Sequence, residues 1–363
     1  MIISAASRAL VACNIYVSAG GNPLHKDLLL RLLTETQEHC RRTNKNELSK
    51  QGEELKQKEQ VVVVHAFRDG PYDRSSFHLA GSPALVADVG SSLAGRAIEA
   101  LTRFDASYFN QSINTMTGTQ SSNAPRAEET NDNGSTSAGQ RHPTVGLVDH
   151  VSVLPLEDKT AGSITGSVAR EIGEIMKTMG ADVLYYGNAH PSGKELAAVR
   201  RESTRFFDTS SANPPVAATN TAGQVTVGAP PRFVENFNIR LQPRVPKKMA
   251  RTLTESVRER SGRGLPHVEA LTLKYGPDQY EVACNLLDPT VTSSNDIEKR
   301  MRIWEKGQEI EDVVGSYDLI ETAYRVGTTK GICLDALHKA TTDYGEIDHN
   351  DIVRKRLEAD FST

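Results

Sequence analysis

No apolar run in the 363 residues approaches the ~18 that a membrane-spanning helix needs, so a helical membrane protein is not indicated. Charge of one sign is lacking too. The 42 basic and 46 acidic residues leave −4, a balance without a strong field for nucleic acid or anionic lipid, and neither is expected as a partner. Cysteine is sparse, and Cys13, Cys40, Cys284 and Cys333 form no CxxC pair, which removes the zinc-knuckle and thioredoxin-type patterns. Cys13 and Cys284 instead sit in apolar, strand-like runs, where a thiol behaves as a small core hydrophobe. A reduced, cytoplasmic protein is expected. Arg8 interrupts the apolar start, against a secretory signal. No acid precedes Asp27, which keeps an organelle presequence as the alternative. Familiar catalytic patterns are absent: no GxGxxG after a strand, no HExxH, no GxSxG. Gly187 to Glu195 (GNAHPSGKE) approaches a phosphate loop, but it has one residue too many between its glycines. It also ends in Glu195 where a magnesium-binding Ser or Thr belongs.

At ~150 residues per domain, the length suggests two or three domains. Leu10 to Ser18 is a continuous apolar run and reads as a buried strand. Asn22 can cap a helix and Pro23 suits its first position, and Leu24, Leu28, Leu29, Leu32 and Leu33 follow at helical spacing. Residues 35–60 are charged and amide-rich, which fits a solvated helix extension or a disordered insert. Strands are expected at Val61–Phe67 and Ser76–Ala80, and a helix at Pro83–Thr102. Residues 105–140 are too polar to bury themselves and read as a disordered insert. Strand, helix, strand and helix follow at Val145–Leu156, Gly162–Met179, Asp182–Tyr186 and Lys194–Arg205, then a loop at Asp208–Pro231. The pattern repeats with strands at Phe233–Leu241, His267–Tyr275, Tyr280–Leu287 and Val313–Ile320, and helices at Lys247–Ser261 and Asp296–Glu311. The tail from Thr341 is charged, with one exposed helix expected.

Two successive β-α-β-β-α-β units imply an α+β protein of two tandem ferredoxin-like (split βαβ) subdomains, with antiparallel sheets and helices on one face. The expected divisions are 9–231, carrying the insert at 105–140, then 232–340, and a tail at 341–363. One large mixed domain is the competing arrangement.

The surviving candidate for chemistry is histidine. His142-Pro143 stands where a long polar loop meets a strand, a junction at which a scaffold can hold a side chain in a cleft. Imidazole takes and gives protons near neutral pH. Position alone equally describes a solvated loop histidine. His65, His78, His150 and His267 lie on or beside strands without zinc-ligand spacing, so no metal is expected.

Arg141 to Leu156 (RHPTVGLVDHVSVLPL) resembles the His-Pro-x-hydrophobic-Gly segment of the formiminotransferase domain family. The likeness continues in order through Leu10–Gly20, Asp182–Gly187 (DVLYYG), Gly228–Leu241, Arg258–Gly264, Ala283–Asp288 and Val313–Ser316. It implies a folate cleft between two subdomains, a homodimer, and transfer of a formimino group from N-formiminoglutamate to N5 of tetrahydrofolate as co-substrate. His142 takes the place of the family's catalytic histidine. Asp69 then meets the pterin amino group and Arg74 a carboxylate, the alternative for both being a turn with a surface ion pair. Gly187 and Gly228 fall on matching motifs. Asn238 and Asn285 either read a ligand or pin strands, and Arg263 either meets the folate glutamate tail or is solvated. Asp149 is expected to bond a turn rather than orient His142. Arg141, Thr144 and Ala19 depart from the family's residues, as do residues 209–224, so a catalytically altered folate-binding module is the alternative to a transferase.

Overall fold

A computed structural model of the chain describes residues 9–50, 59–117, 145–202, 222–307, 318–342 and 349–361. The first part contains β1 (Val11–Val17), α1 (His25–Lys50), β2 (Val61–Asp69), β3 (Arg74–Gly81), α2 (Pro83–Thr117) and β4 (Val148–Pro155). It continues with α3 (Gly162–Thr178), β5 (Asp182–Gly187), α4 (Leu196–Glu202) and β6 (Gln224–Ala229). Its six strands lie in the order β2-β3-β1-β4-β6-β5. The second part contains β7 (Glu235–Leu241), α5 (Lys247–Val257), β8 (Val268–Tyr275), β9 (Gln279–Leu286), α6 (Ser294–Gly307) and β10 (Ile320–Val326), in the sheet order β10-β7-β9-β8. Helices α7 (Lys330–Thr342) and α8 (His349–Ala359) follow. The α+β class is as expected.

Alternation along β1 decides the layering. Val11, Cys13, Ile15 and Val17 enter a core with Leu29, Leu32 and Leu33 of α1 and Val86 and Leu93 of α2. Ile172 and Met176, four residues apart on α3, complete that face. Each such side chain, fully buried, contributes ~1.5–3 kcal/mol. The start of α1 follows the expected chemistry: Asn22 Oδ1 accepts the Leu24 N–H at 2.9 Å. The second core repeats the scheme, with Phe237, Ile239 and Leu241 of β7 packed with Leu253 and Val257 of α5 and Ile297 and Met301 of α6. All four cysteines are free and buried, and burial pushes the Cys13 thiol up to about 12.

Several expectations are corrected. Residues 224–229, assigned to a loop, form the wholly buried β6, which pairs parallel with both β4 and β5, so the first sheet is not purely antiparallel. Helices do not keep to one face: α7 lies on the other side of that sheet, where Cys333, Ala336 and Leu337 meet Ala12, Val62, Val64, Ala80 and Leu154. The fourth strand of the second sheet is Ile320–Val326, beyond the expected segment, whose residues 313–317 lie outside the described residues. Helix α1 runs to Lys50 and buries Thr36, Gln37 and Cys40, so this stretch is not merely solvated. Helix α2 extends through residues 105–117 of the expected insert, and 118–140 lie outside the described residues. The tail helix is docked, not exposed: Val353 and Leu357 of α8 join the first core.

Candidate functional site

On the face of the first sheet turned away from α1, α2 and α3, a largely polar belt crosses the strands beside the apolar patch that α7 covers. Register aligns His65, His78, Asn14, Ser152, Gly228 and Tyr186 in one row. The next row is Phe67, Ser76, Tyr16, His150, Thr226 and Leu184. This belt exists because polar residues take every second position of otherwise apolar strands. Tyr186 stacks on His150 with ring centres 5.6 Å apart, and Tyr16 tilts against the same imidazole at 5.6 Å. His150 Nδ1 pairs with Thr226 Oγ1 at 2.9 Å, and His78 Nε2 with Ser76 Oγ at 3.0 Å. Burial holds the His78 imidazole well below its ordinary range and brings His65 down to about 4, so both are neutral at pH 7.

At the Tyr16 end of the belt, Arg74 pairs with Asp149 at 3.1 Å and lies over the Tyr16 ring, 4.3 Å from its centre. The Asp149 side chain is fully buried; burial raises its carboxyl, while Arg74 and Arg200 pull against that rise. Asp149 therefore joins an ion pair rather than bonding a turn, and the Arg74 pair is buried rather than on the surface. Asn14 Oδ1 and Asp149 Oδ2 are buried acceptors with no hydrogen-bond partner among the described residues.

The second sheet turns its own polar face to this belt. Tyr16 donates its hydroxyl to Asn236 Oδ1 at 3.1 Å, and Tyr72, in the β2–β3 turn, donates to Glu281 Oε1 at 3.1 Å. Glu281 of β9 is wholly buried yet well provided: Asn238 Nδ2 donates at 2.6 Å, the Tyr324 hydroxyl at 2.7 Å, and Arg240 stands 3.6 Å away. Arg240 stacks on Tyr275, 3.7 Å from the ring centre. Asp69 accepts the Tyr72 N–H at 3.2 Å; burial and the nearby Glu281 raise its carboxyl to about 7.

The structure thus brings Asp69, Arg74 and Asn238 to the space between the sheets, although Asn238 is engaged in bonding Glu281. Asn285 accepts from Asn236, which ties β9 to β7. Gly187 ends β5 at φ +57°, with an added Cβ 2.2 Å from the Ala229 carbonyl oxygen, so only glycine fits there. Gly228 lies beneath the Tyr186 ring, which a Cβ would strike at 2.3 Å. Arg263 is exposed between α5 and β8, where its backbone bonds Ser261 and Arg300. Arg141, His142 and Thr144 lie outside the described residues. Val145 begins the next described stretch, its carbonyl accepting the Gln224 N–H, and leads into β4 three residues later, beside Asp149.

Sequence reasoning missed Asn14, Tyr16, His78, His150 and Glu281 as members of one site. The available signal was a two-residue period of polar side chains within apolar strands, as in Asn14/Tyr16 and His150/Ser152. A separate concavity of about 580 Å³ opens along the β5 edge, lined by Asp182, Tyr185, His190, Lys194 and Glu202 among others. It is not between the sheets, and its Lys194 is occupied by Glu202 at 2.7 Å. The phosphate-loop likeness of 187–195 has no nest of amides: Asn188, Ala189, His190 and Gly193 all donate to backbone carbonyls. Among the described residues no group of three His, Cys, Asp or Glu is placed to hold a metal ion, and no helix is long and apolar enough to cross a membrane.

Residues 135–230 match the family model described as the formiminotransferase domain, N-terminal subdomain. The chain is also 29% identical over 177 residues to the formiminotransferase cyclodeaminase-like protein of Arabidopsis thaliana, a match covering 43% of this chain and 58% of that protein. Both findings support the formiminotransferase domain resemblance read from the sequence.

Proposed function

We propose, with the formiminotransferase domain family as premise, that this chain moves a formimino group from N-formiminoglutamate or a related donor to N5 of tetrahydrofolate, with His142 handling the proton. The observation that carries the reading is where the matched stretch lies. Residues 135–230 include both His142 and the strands β4, β5 and β6, which give His150, Ser152, Tyr186 and Thr226 to the polar belt. The N5 amine loses its proton as it attacks the amidine carbon, and a neutral imidazole within hydrogen-bond reach accepts it. The tetrahedral adduct then breaks its bond to the glutamate nitrogen, which receives that proton. The belt suits a planar heterocycle that both stacks and hydrogen-bonds: it combines the Tyr16, His150 and Tyr186 rings with the acceptors Asn14 Oδ1 and Asp149 Oδ2. In this reading Asp69 takes the pterin amino group, and Arg74, held by Asp149, takes a substrate carboxylate. Gly187 and Gly228 shape the backbone around the site and Asn238 is a further folate contact, whereas Arg263, exposed beside α5 and α6, stands outside the belt. The working form is a cytoplasmic homodimer.

A specific observation favours the second reading, a folate-binding module with altered catalysis. Ala19 stands where the family has Glu; it is wholly buried, and its carbonyl accepts the Ser75 hydroxyl at 2.6 Å, so residue 19 supplies no acid and the carboxylate at that turn is instead Asp73, which accepts the Gly21 N–H. Isothermal titration with tetrahydrofolate tests both readings, and absence of binding at high micromolar concentration removes both. Adding N-formiminoglutamate and following 5-formiminotetrahydrofolate separates them. His142→Ala is expected to slow turnover by at least ~10²-fold, the usual scale of general acid–base catalysis, with an unchanged melting temperature. Undiminished turnover would take His142 out of the mechanism.

A further inference from the structure

The turn joining β2 to β3 is built around one carboxyl. Asp69 accepts the Tyr72 N–H, and this places the Tyr72 ring edge-on to Tyr275 of β8, with centres 5.3 Å apart and planes at 88°. The Tyr72 hydroxyl then reaches Glu281 of β9. Two buried carboxyl groups, Asp69 and Glu281, are thereby set in one contact between the sheets, 8% and 0% exposed. The surrounding groups are Asn238 and Arg240 of β7, Tyr275 of β8, Tyr324 of β10, and Arg74 at the start of β3. Burial keeps Tyr72, Tyr275 and Tyr324 protonated at neutral pH, so the phenols add no negative charge. Among the described residues Glu281 collects three hydrogen-bond donors and the Arg240 guanidinium, whereas Asp69 has a single backbone donor from Tyr72. A proton shared between the two carboxyls therefore resides on Asp69.

We propose that the β2–β3 hairpin and the second sheet form a proton-operated clamp: neutral Asp69 lets Tyr72 hold the hairpin against Glu281, and ionised Asp69 releases it. In the closed arrangement, ionisation sets two buried anions in one cluster beside Arg240. On opening, Asp69 regains water and that repulsion ends. The direction follows by linkage. Closure is fully favoured below the ordinary carboxylate range and loses ground as pH rises toward the closed-state value, about 7, beyond which the loss levels off. Because Tyr16 and Tyr72 both bridge the two polar faces, release of the hairpin loosens one of these two connections to the belt.

Amide hydrogen exchange of residues 66–75 in the full chain without ligand, corrected for the intrinsic pH dependence of exchange, reads the opening directly. The opening constant is expected to rise from pH 5 to pH 7 by up to tenfold per unit, then to flatten by pH 8. Asp69→Asn, a mimic of the neutral acid, is expected to stay closed and flat. It retains the other charges of the hairpin, Asp73 beside His25 at 3.6 Å and Arg68 bonded to Asp360, so any rise they cause survives in it. Tyr72→Phe is expected to raise opening at least tenfold at pH 5. A flat wild-type profile, the same rise in Asp69→Asn, or unchanged protection in Tyr72→Phe would each overturn the clamp. Should Asp69→Asn fail to fold, the wild-type profile and Tyr72→Phe decide. No folate takes part, so a failed folate titration leaves this result intact, and the reverse also holds.

Discussion

The two sheets face each other with polar surfaces that meet the cost of burial differently. On the second sheet the charge is concentrated and answered: Glu281 is wholly buried, with Tyr72, Asn238 and Tyr324 donating to it and Arg240 beside it. On the first, most groups are neutral and the provision is incomplete, since Asn14 Oδ1 and Asp149 Oδ2 lack partners among the described residues. A buried polar group without a partner costs about 1–3 kcal/mol, so the well-provided Glu281 carboxylate serves cohesion, although Arg240 Nε beside it has no hydrogen-bond partner among the described residues, while the unpartnered acceptors of the first face retain hydrogen-bonding capacity. In the proposed reading the first face serves recognition, and the contrast gives the second the part of holding the sheets together.

The largest effect is expected where the second face is broken. Glu281→Ala strips the acceptor from three donors and leaves the Arg240 guanidinium without its carboxylate. The expected loss is about 3–5 kcal/mol, the scale for removing one partner of a buried pair. Urea unfolding at pH 7 measures it. A loss under about 1 kcal/mol would mean that the cluster contributes little and that the contrast between the faces is wrong.

An intermediate effect separates the faces by pH. His65, on the first face, has its folded-state value lowered from 6.5 to about 4 by burial, with Arg356 adding to the effect. Its contribution is fully present above 6.5 and is lost as pH falls toward 4, in all about 3 kcal/mol. Buried His78 acts in the same direction, and Asp69 acts in the opposite one, favouring the fold as pH falls. His65→Gln should therefore reduce the stability lost between pH 7 and pH 5, and Asp69→Asn should increase it. Urea midpoints at the two pH values decide, and identical changes in both variants would contradict the assignment.

The legible part of this architecture is its local part. Leu10 to Ser18 and Val61 to Phe67 announce strands through β-branched, apolar runs, and Leu28, Leu29, Leu32 and Leu33 announce a helix through their spacing. Strand β6 was hidden because QVTVGA is only six residues long and follows a Pro-, Ala- and Thr-rich stretch. Its burial comes from sitting between β4 and β5, a non-local fact. Helix α8 offers only Val353 and Leu357 to the core, too little to distinguish a docked helix from a solvated one. The site was harder still. Glu281 reads as one charge in a strand, and its partners arrive from β7, β10 and the β2–β3 turn, up to 209 residues away. Asn14 and Tyr16 lie in a run whose apolar members suffice to predict a strand, so their shared face becomes visible only once β3 and β4 flank β1.

The smallest expected effect is the sharpest test of the contrast, because its two readouts move in opposite directions. Asn14→Leu replaces a buried amide, whose oxygen has no partner among the described residues, with an apolar group of similar shape. If the oxygen is maintained for a ligand, the substitution removes a desolvation cost and stabilises the fold by about 1 kcal/mol, seen as a higher urea midpoint. The same change deletes an acceptor in the belt row beside Ser152 and His78, and so should weaken tetrahydrofolate binding by roughly tenfold, about 1.4 kcal/mol. Stability gained together with binding lost identifies a position retained for recognition at the expense of the fold. Stability lost instead would place Asn14 among the cohesive contacts, and the first face would then resemble the second.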